Sequence, residues 1–244
     1  MITGTVALPI YNSLDIFWLC LESLCRQHRP KEGWELIVYE EKQPRQVGDN
    51  LIRLYLPRLK EKGCERFTYI TFPSKIPLPQ KWLHMAKKAD PNSKYYCLTA
   101  ADNYYHPWML VDSEKAIQEC DWFVTTKGYF YDFNYKKILL YDCNINIGLQ
   151  MTASTKLVRN LPMVNLSRGI DGWFYKNLHA KKVIRDKSDH WRNTFCTNGY
   201  NNISKSRGNF FKRPHSHFYA TDVNIHDILP EDIVNRIILL NKNK

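Results

Sequence analysis

Short apolar runs and segments of helical periodicity alternate along the first half of the chain. Residues 4–10 form a continuous apolar run of the kind that a buried strand shows, and the apolar residues after them recur at helical spacing. A second apolar run covers residues 34–39. Because strand, helix and strand follow one another within about forty residues, we predict a βαβ unit with parallel strands.

The same alternation continues to the middle of the chain. We predict a helix over residues 48–63, a strand over 67–72, a short helix over 80–88 and a strand over 94–100. A further helix is predicted from Pro107, since proline suits the first turn of a helix. This order of elements is typical of an α/β protein with a central, mainly parallel sheet that is flanked by helices.

The second half of the chain is less regular. Its polar stretch 187–214 is rich in Asn, Ser, Gly and basic residues, and we predict a long loop there, a feature that is often functional in compact domains. Neither an internal repeat nor a linker is visible, so we expect one domain over residues 1–244. The other elements predicted for this half are strands at 121–126, 137–141 and 145–152 and helices at 154–160, 171–178 and 230–240.

The net charge of the chain indicates anionic partners. The chain has 35 Lys and Arg against 24 Asp and Glu, which gives a net charge of +11. Such a field favours a phosphorylated ligand, a membrane surface or nucleic acid. The basic residues form no long block, which argues against a nucleic-acid-binding tail, and we expect no nucleic-acid partner.

The cysteines and the hydropathy pattern bear on location. The seven cysteines contain neither a CxxC pair nor zinc-type spacing, so we interpret them as reduced, buried thiols in a reducing compartment. No apolar run approaches the length of a membrane-spanning helix, and no secretory leader is visible. These features predict a cytoplasmic protein.

Polar residues follow the ends of several predicted strands. An open parallel sheet holds its ligands at the carboxyl ends of its strands, so these positions are candidate ligand contacts. They are Pro9, Tyr11 and Asn12 after the first strand, Glu40 and Glu41 after the second, the loop after Phe72, and Asp102 and Asn103 after the fourth.

Three segments carry motifs in the order of a known family. They read VALPIYNSLDIFWLCLESLCRQ, WELIVYEE and YYCLTAADNYYHPWML. Together they resemble the nucleotide-binding half of the family 2 inverting glycosyltransferases of GT-A fold, well over residues 4–112 and weakly beyond. The resemblance implies a single GT-A-like, Rossmann-like domain in which residues 1–112 bind a nucleotide sugar. Residues 113–244, with the C-terminal loop and helix, would then bind the acceptor.

The resemblance also implies roles for the donor pocket. Tyr11 matches the position that lies against the nucleotide base, and stacking on a phenol ring is physically sensible. Glu40 and Glu41 stand where the family has acids that accept hydrogen bonds from the base or ribose. The alternative for Tyr11 is that it only packs against a turn, and the alternative for Glu40 and Glu41 is that they lie in solvent at a strand end. The remaining donor contacts are assigned to Pro9, Asn12, Asn103, Lys205 and Arg207, the last two in a loop that is otherwise a generic basic surface.

The metal motif of the family is incomplete in this chain. Its Asp-x-Asp falls on Ala100-Ala101-Asp102, so that only the last acid remains. One carboxylate is enough for Mn²⁺ or Mg²⁺ bound to a diphosphate, and the ion would neutralise charge on the departing nucleotide. The resemblance implies a histidine ligand as well, either His215 or His217. A helix N-terminal acid is the alternative for Asp102.

An inverting transferase needs a general base for the acceptor hydroxyl. The segment around Asp171 resembles the family element that supplies it, with Trp173 placed to lie against the acceptor sugar. A helix N-cap is the alternative role for Asp171.

The sequence therefore predicts a metal-dependent glycosyltransferase that uses a nucleotide-diphosphate sugar. Its acceptor is a glycan, a glycoprotein or a lipid-linked sugar, the last reached by peripheral membrane contact. A nucleotidyltransferase is one alternative, and a catalytically lapsed GT-A module that binds anionic ligands is another. Motifs of P-loop enzymes, dinucleotide-binding proteins, zinc proteases and serine hydrolases are absent from the sequence.

Overall fold

We analysed a computed structural model that describes residues 1–143, 146, 148–166, 169–198 and 217–242. The strands in these ranges are β1 (Ile2–Ile10), β2 (Gly33–Glu41), β3 (Cys64–Phe72), β4 (Tyr95–Leu98), β5 (Asn103–Tyr104), β6 (Trp122–Thr125), β7 (Lys127–Asp132), β8 (Lys137–Asp142), β9 (Gln150–Ser154), β10 (Val183–Arg185), β11 (Phe195–Asn198) and β12 (Phe218–Ala220). The helices are α1 (Trp18–Cys25), α2 (Asp49–Arg53), α3 (Leu56–Glu61), α4 (Leu78–Lys88), α5 (Met109–Ala116), α6 (Thr155–Arg159), α7 (Ile170–Asn177), α8 (Ile225–Ile228) and α9 (Glu231–Lys242), with a 3₁₀ helix at Asp189–Asn193.

The larger sheet has seven strands in the order β10-β6-β9-β4-β1-β2-β3. Strand β1 pairs in parallel with both β2 and β4, and β2 pairs in parallel with β3. Only β9 runs against its neighbours β4 and β6. The prediction of an α/β domain with a mixed, mainly parallel sheet flanked by helices is confirmed.

Both faces of this sheet are covered, as its apolar strands require. On β1, Val6 and Leu8 point into one core, which also contains residues of α1, α3 and α5. Ala7 points into the opposite core, which is built with α4, α6 and α7. Strands buried on both faces read as unbroken apolar runs, which is why periodicity identified them in the sequence.

A second sheet of five strands lies against the other side of α1. Its order is β12-β8-β7-β11-β5, and β11 pairs in parallel with β7 and antiparallel with β5. Aromatic residues of this sheet share a third core with α1, α8 and α9. Helix α1 is therefore buried on nearly all sides, between the two sheets.

Three predicted elements differ from the structure. The helix predicted over 48–63 is divided into α2 and α3, because Pro57 has no N–H for the carbonyl of Arg53, which ends α2. The strand predicted at 145–152 is β9, which begins at Gln150. The long loop predicted over 187–214 contains the 3₁₀ helix and β11 in its described part, because β11 is held by distant strands.

Among the residues that the structure describes, no helix is both long enough and apolar enough to cross a bilayer.

Candidate functional site

The carboxyl edge of the larger sheet has a point at which the chain changes direction. Strands β2 and β3 lie on one side of β1, whereas β4 and the later strands lie on the other. Ligands of open α/β sheets bind in the crevice at such a switch point. Ala7 pairs with Leu98 in the register of β1 and β4, and Tyr11 and Asp102 each lie four residues beyond that pair. The structure thus places both predicted residues at the switch point.

Tyr11 presents a partly open aromatic ring that is surrounded by lysines. Its side chain is 37% exposed. The Lys75 ammonium lies 4.5 Å from the ring centroid and donates to the Tyr11 hydroxyl at 3.4 Å, and the Lys81 ammonium lies 5.3 Å from the centroid. The surface around Tyr11 therefore combines a planar ring with positive charge, a combination that suits an aromatic, anionic ligand.

Lys81 is itself buried and is held by Glu41. The ammonium lies 3.2 Å from a carboxylate oxygen of Glu41, whose other oxygen accepts a hydrogen bond from the backbone N–H of Ile76 at 2.8 Å. Burial lowers the pKa of Lys81, and the charge of Glu41 opposes that shift. Glu41 thus fixes both Lys81 and the loop that carries Lys75.

Glu40 is fully buried and organises the neighbouring loop. Its carboxylate accepts hydrogen bonds from the backbone N–H groups of Val47 and Gly48 at 2.7 and 2.9 Å, and from the hydroxyl of Tyr69 at 2.7 Å. The side-chain amide of Gln43 donates to it at 2.7 Å, and the Gln43 carbonyl oxygen accepts from the Asn12 N–H. Since protein groups occupy these carboxylates, a contact of Glu40 or Glu41 with a nucleotide stays a prediction.

The other residues that are predicted to contact a donor lie around the same strand ends. Pro9 is buried at the end of β1. Asn12 adopts a left-handed backbone conformation with φ of 49°, which asparagine tolerates better than most residues. The Asn103 amide donates to the hydroxyl of Tyr105 at 3.4 Å. Their contacts with a donor also stay predictions.

Asp102 is half-buried beside strand β11. Its backbone carbonyl accepts a hydrogen bond from the Thr197 hydroxyl at 2.9 Å. The Asp102 charge also bears on Cys196: burial is the larger cause that raises the pKa of this thiol, and Asp102 adds to it. Asp102 is therefore held at the interface of the two sheets.

Tyr141 of β8 interacts with two residues that have predicted roles, with His217 by ring contact and with Asp171 through its charge. Burial raises its pKa, and its contact with Cys143 and the charges of Asp171 and Cys196 raise it further. The His217 ring lies edge-on to Tyr141, with centroids 6.4 Å apart. Tyr141 thus contacts His217, and the charge of Asp171 acts on its hydroxyl.

Asp171 lies in the first turn of α7, where the helix dipole favours a carboxylate. The N-cap is Gly169, so Asp171 does not fill the N-cap position. Trp173 is half-buried and packs edge-on against Phe174 with centroids 5.4 Å apart. Its indole therefore packs partly in the core. Lys205, Arg207 and His215 lie outside the described residues.

One polar cluster was not identified from the sequence. His106, Asp112 and His190 each offer a ligand atom, and these atoms lie within 4.8 Å of one another. Nδ1 of His190 lies 2.8 Å from Oδ2 of Asp112. Burial lowers the pKa of His106 to about 4, so that its ring is neutral at pH 7. We call this group the His–Asp cluster. No motif marks it, because Asp112 and His190 are far apart in the chain.

The fold defines the class of this protein. A mainly parallel sheet with a switch point between β1 and β4, extended by a second sheet beside it, is the GT-A fold. No family profile and no curated protein sequence matches the chain.

Solved structures with this fold include complexes of two proteins with nucleotide sugars. The structure of S. aureus TarS 1-349 in complex with UDP-GlcNAc matches with a TM-score of 0.64 and 15% sequence identity, over 84% of this chain and 61% of that one. The mannosyltransferase PcManGT from Pyrobaculum calidifontis, in complex with GDP-Man and Mn²⁺, matches with a TM-score of 0.53 and 14% identity, over 84% and 59%. The chain thus spans about three fifths of the length of these structures.

The contacts of Glu40 predict that it stabilises the fold. Glu40→Gln replaces an acceptor by a donor that faces other donors, so we expect a loss of about 2 kcal/mol in the free energy of unfolding. Urea denaturation measures this loss, and Glu32→Gln, an exposed position, is the matched control with an expected change below about 0.5 kcal/mol. Equal stability of the two variants would contradict the assignment.

Proposed function

We propose that this protein is a glycosyltransferase that moves a sugar from a nucleotide-diphosphate sugar to an acceptor hydroxyl with inversion. The observation that carries the proposal is the position of Tyr11 and Asp102 at the switch point of a GT-A fold. TarS in complex with UDP-GlcNAc and PcManGT in complex with GDP-Man support a nucleotide sugar as the ligand class.

The donor would lie across the end of β1. Tyr11 offers its exposed face to the nucleotide base, and stacking of this kind does not require a particular base. Lys75 adds positive charge beside the ring. Glu40, Glu41, Pro9, Asn12 and Asn103 shape the pocket, and the loop with Lys205 and Arg207 is assigned to the diphosphate.

We assign to Asp102 and His217 a divalent ion that is bound mainly through the diphosphate. Asp102 supplies an oxygen ligand and His217 an imidazole, whereas Ala100 supplies none; such an ion needs only one or two protein carboxylates. His215 belongs to the same proposal. Bound Mn²⁺ or Mg²⁺ would neutralise the charge on the leaving nucleoside diphosphate.

Asp171 is proposed as the general base. It takes the proton of the acceptor hydroxyl while that oxygen forms a bond to the anomeric carbon. The bond from this carbon to the diphosphate oxygen breaks, and its electron pair stays with the diphosphate. Trp173 would lie against the acceptor sugar, so that residues 113–244 bind the acceptor and residues 1–112 bind the donor. A glycan, a glycoprotein or a lipid-linked sugar is the proposed acceptor class.

The first test concerns metal-dependent donor binding. Asp102→Asn removes a charged ligand of the ion, so we expect UDP binding in the presence of Mn²⁺ to weaken on the order of 100-fold, with little change in its absence. Calorimetry with UDP and GDP measures both affinities, and Asp232→Asn, a surface carboxylate paired with Arg26, is the control. Metal-independent binding in the wild type would favour a lapsed module, and pyrophosphate release from a nucleoside triphosphate would favour a nucleotidyltransferase.

The second test concerns base stacking. Tyr11→Ala removes the ring and should weaken nucleoside diphosphate binding about 10- to 100-fold, whereas Tyr11→Phe keeps the ring and the affinity. Tyr135→Ala is the control, because Tyr135 is 38% exposed and so matches Tyr11. An unchanged affinity of Tyr11→Ala would place the base elsewhere.

The third test separates the base from donor binding. Asp171→Asn should lower the rate of sugar transfer about 100-fold or more while the affinity for the nucleotide is kept, since general base catalysis contributes factors of this size. Single-turnover transfer from UDP-GlcNAc or GDP-Man to acceptor pools measures the rate. Asp189→Asn is the control, as its side chain is 81% exposed. A rate equal to that of the control rules out Asp171 as the base.

A further inference from the structure

The His–Asp cluster lies where three separate parts of the chain meet. His106 follows β5, Asp112 is in the first turn of α5, and His190 is in the 3₁₀ helix. The Trp108 ring stacks on the His190 ring with centroids 5.4 Å apart and an interplanar angle of 12°. The rings of His106 and His190 have centroids 5.5 Å apart. Two imidazoles and one carboxylate therefore converge on one point.

His106 has an unusual environment for a buried histidine. It is 0% exposed, and neither ring nitrogen has a hydrogen-bond partner in the part of the chain that the structure describes. The buried Gln150 side chain lies beside it without the geometry of a hydrogen bond, and its amide nitrogen is also without a partner. Unsatisfied buried polar atoms destabilise a fold, and native proteins rarely keep them without a bound water or ion.

A groove borders the cluster at Asp112. It has a volume of about 250 Å³, and its charged lining residues are Asp112, Glu119, Asp186 and Lys115. Three carboxylates against one ammonium favour a cation there, and the space admits waters that complete a coordination shell.

We propose that His106, Asp112 and His190 bind a first-row transition metal of the Zn²⁺ class, at a site separate from the donor-binding site. Two imidazoles and one carboxylate are the ligands of many zinc sites, and a solvent molecule from the groove takes the fourth position. Metal ligation uses the deprotonated carboxylate of Asp112 and neutral imidazoles, each of which keeps its N–H on the nitrogen that does not bind the ion. Because two of the three ligands at this cluster are imidazoles, the site disfavours Mg²⁺ and Ca²⁺, which prefer shells made mainly of oxygen.

Through its ligands His190 and Asp112, this ion would crosslink the 3₁₀ helix to the start of α5. The 3₁₀ helix leads directly into β11, whose Thr197 donates to the carbonyl of Asp102. The site thus has a structural role: it fixes the strand that lies beside the switch point and takes no part in sugar transfer.

The test measures metal binding alone, with no nucleotide sugar. The full chain, without a polyhistidine tag, is stripped with a chelator and titrated with Co²⁺ and then with Zn²⁺. We expect one ion per chain, with the visible absorption of four-coordinate Co²⁺ that Zn²⁺ abolishes, and a higher melting temperature in Zn²⁺. A wild-type chain that binds no stoichiometric ion overturns the proposal.

Variants locate the ion. His190→Ala and Asp112→Asn should each weaken Zn²⁺ binding more than about 100-fold and abolish the zinc-dependent rise in melting temperature, since each removes a ligand. His106→Gln tests the third ligand. Stripped wild type and the half-buried Asp112→Asn should melt at similar temperatures, which separates loss of the ion from loss of the fold. His226→Ala and Asp189→Asn, both exposed, are the controls.

Three outcomes contradict the site. Full binding in His190→Ala and Asp112→Asn does so, and so does an intense thiolate band of the Co²⁺ form, which would put the ion on a cysteine. Loss of binding in Asp102→Asn would place the ion at the donor-binding site. Because the measurement uses no donor, failure of the proposed glycosyltransferase activity leaves its result unaffected.

Discussion

Strand β1 forms backbone hydrogen bonds along both edges, with β2 and with β4, and its residues from Thr3 to Ile10 are buried. These parallel ladders fix the register of the three strands, because a slip of one residue would turn every side chain to the opposite face. Since β1 and β4 are parallel, the chain continues from both strands at the carboxyl edge of the sheet. Tyr11 and Asp102 each follow the paired residues Ala7 and Leu98 by four positions, although 91 residues separate them in the sequence.

Strand β2 supplies the polar framework around that edge. Three of its acids, Glu35, Glu40 and Glu41, are buried, and each is held by donors from other segments. Buried carboxylates are tolerated only with such partners, and charge-assisted hydrogen bonds to backbone N–H groups then fix the loops that provide them. Acids at a strand end are often read as ligand contacts. Here the acids belong to an interior strand, and their hydrogen bonds also fix the conformation of the loops around this edge.

Local periodicity predicted the first four strands of the larger sheet and most of its helices, because those elements bury whole faces. It did not identify β7 or β11, whose positions depend on pairing with distant strands. Tyr11 and Asp102 were identified because each follows the end of a predicted strand, and the end of a buried apolar run can be located from a single sequence. The His–Asp cluster was missed for the opposite reason. His190 reaches Asp112 only after β10 and the 3₁₀ helix have folded over α5, and neither residue stands in a recognisable spacing.

The segment from Asp186 to Asn198 connects the two candidate sites. Asp186 lines the groove of the His–Asp cluster, His190 belongs to the cluster, and Thr197 holds the backbone at Asp102. Between them, β11 is paired on both edges, so it has little freedom to move independently of either end. An ion at the cluster would order the start of this segment, and paired strands would transmit that order to the switch point. The second sheet thus acts as a rigid support. Its strand β11, which holds the backbone at Asp102, would itself be held in place by the ion at the His–Asp cluster.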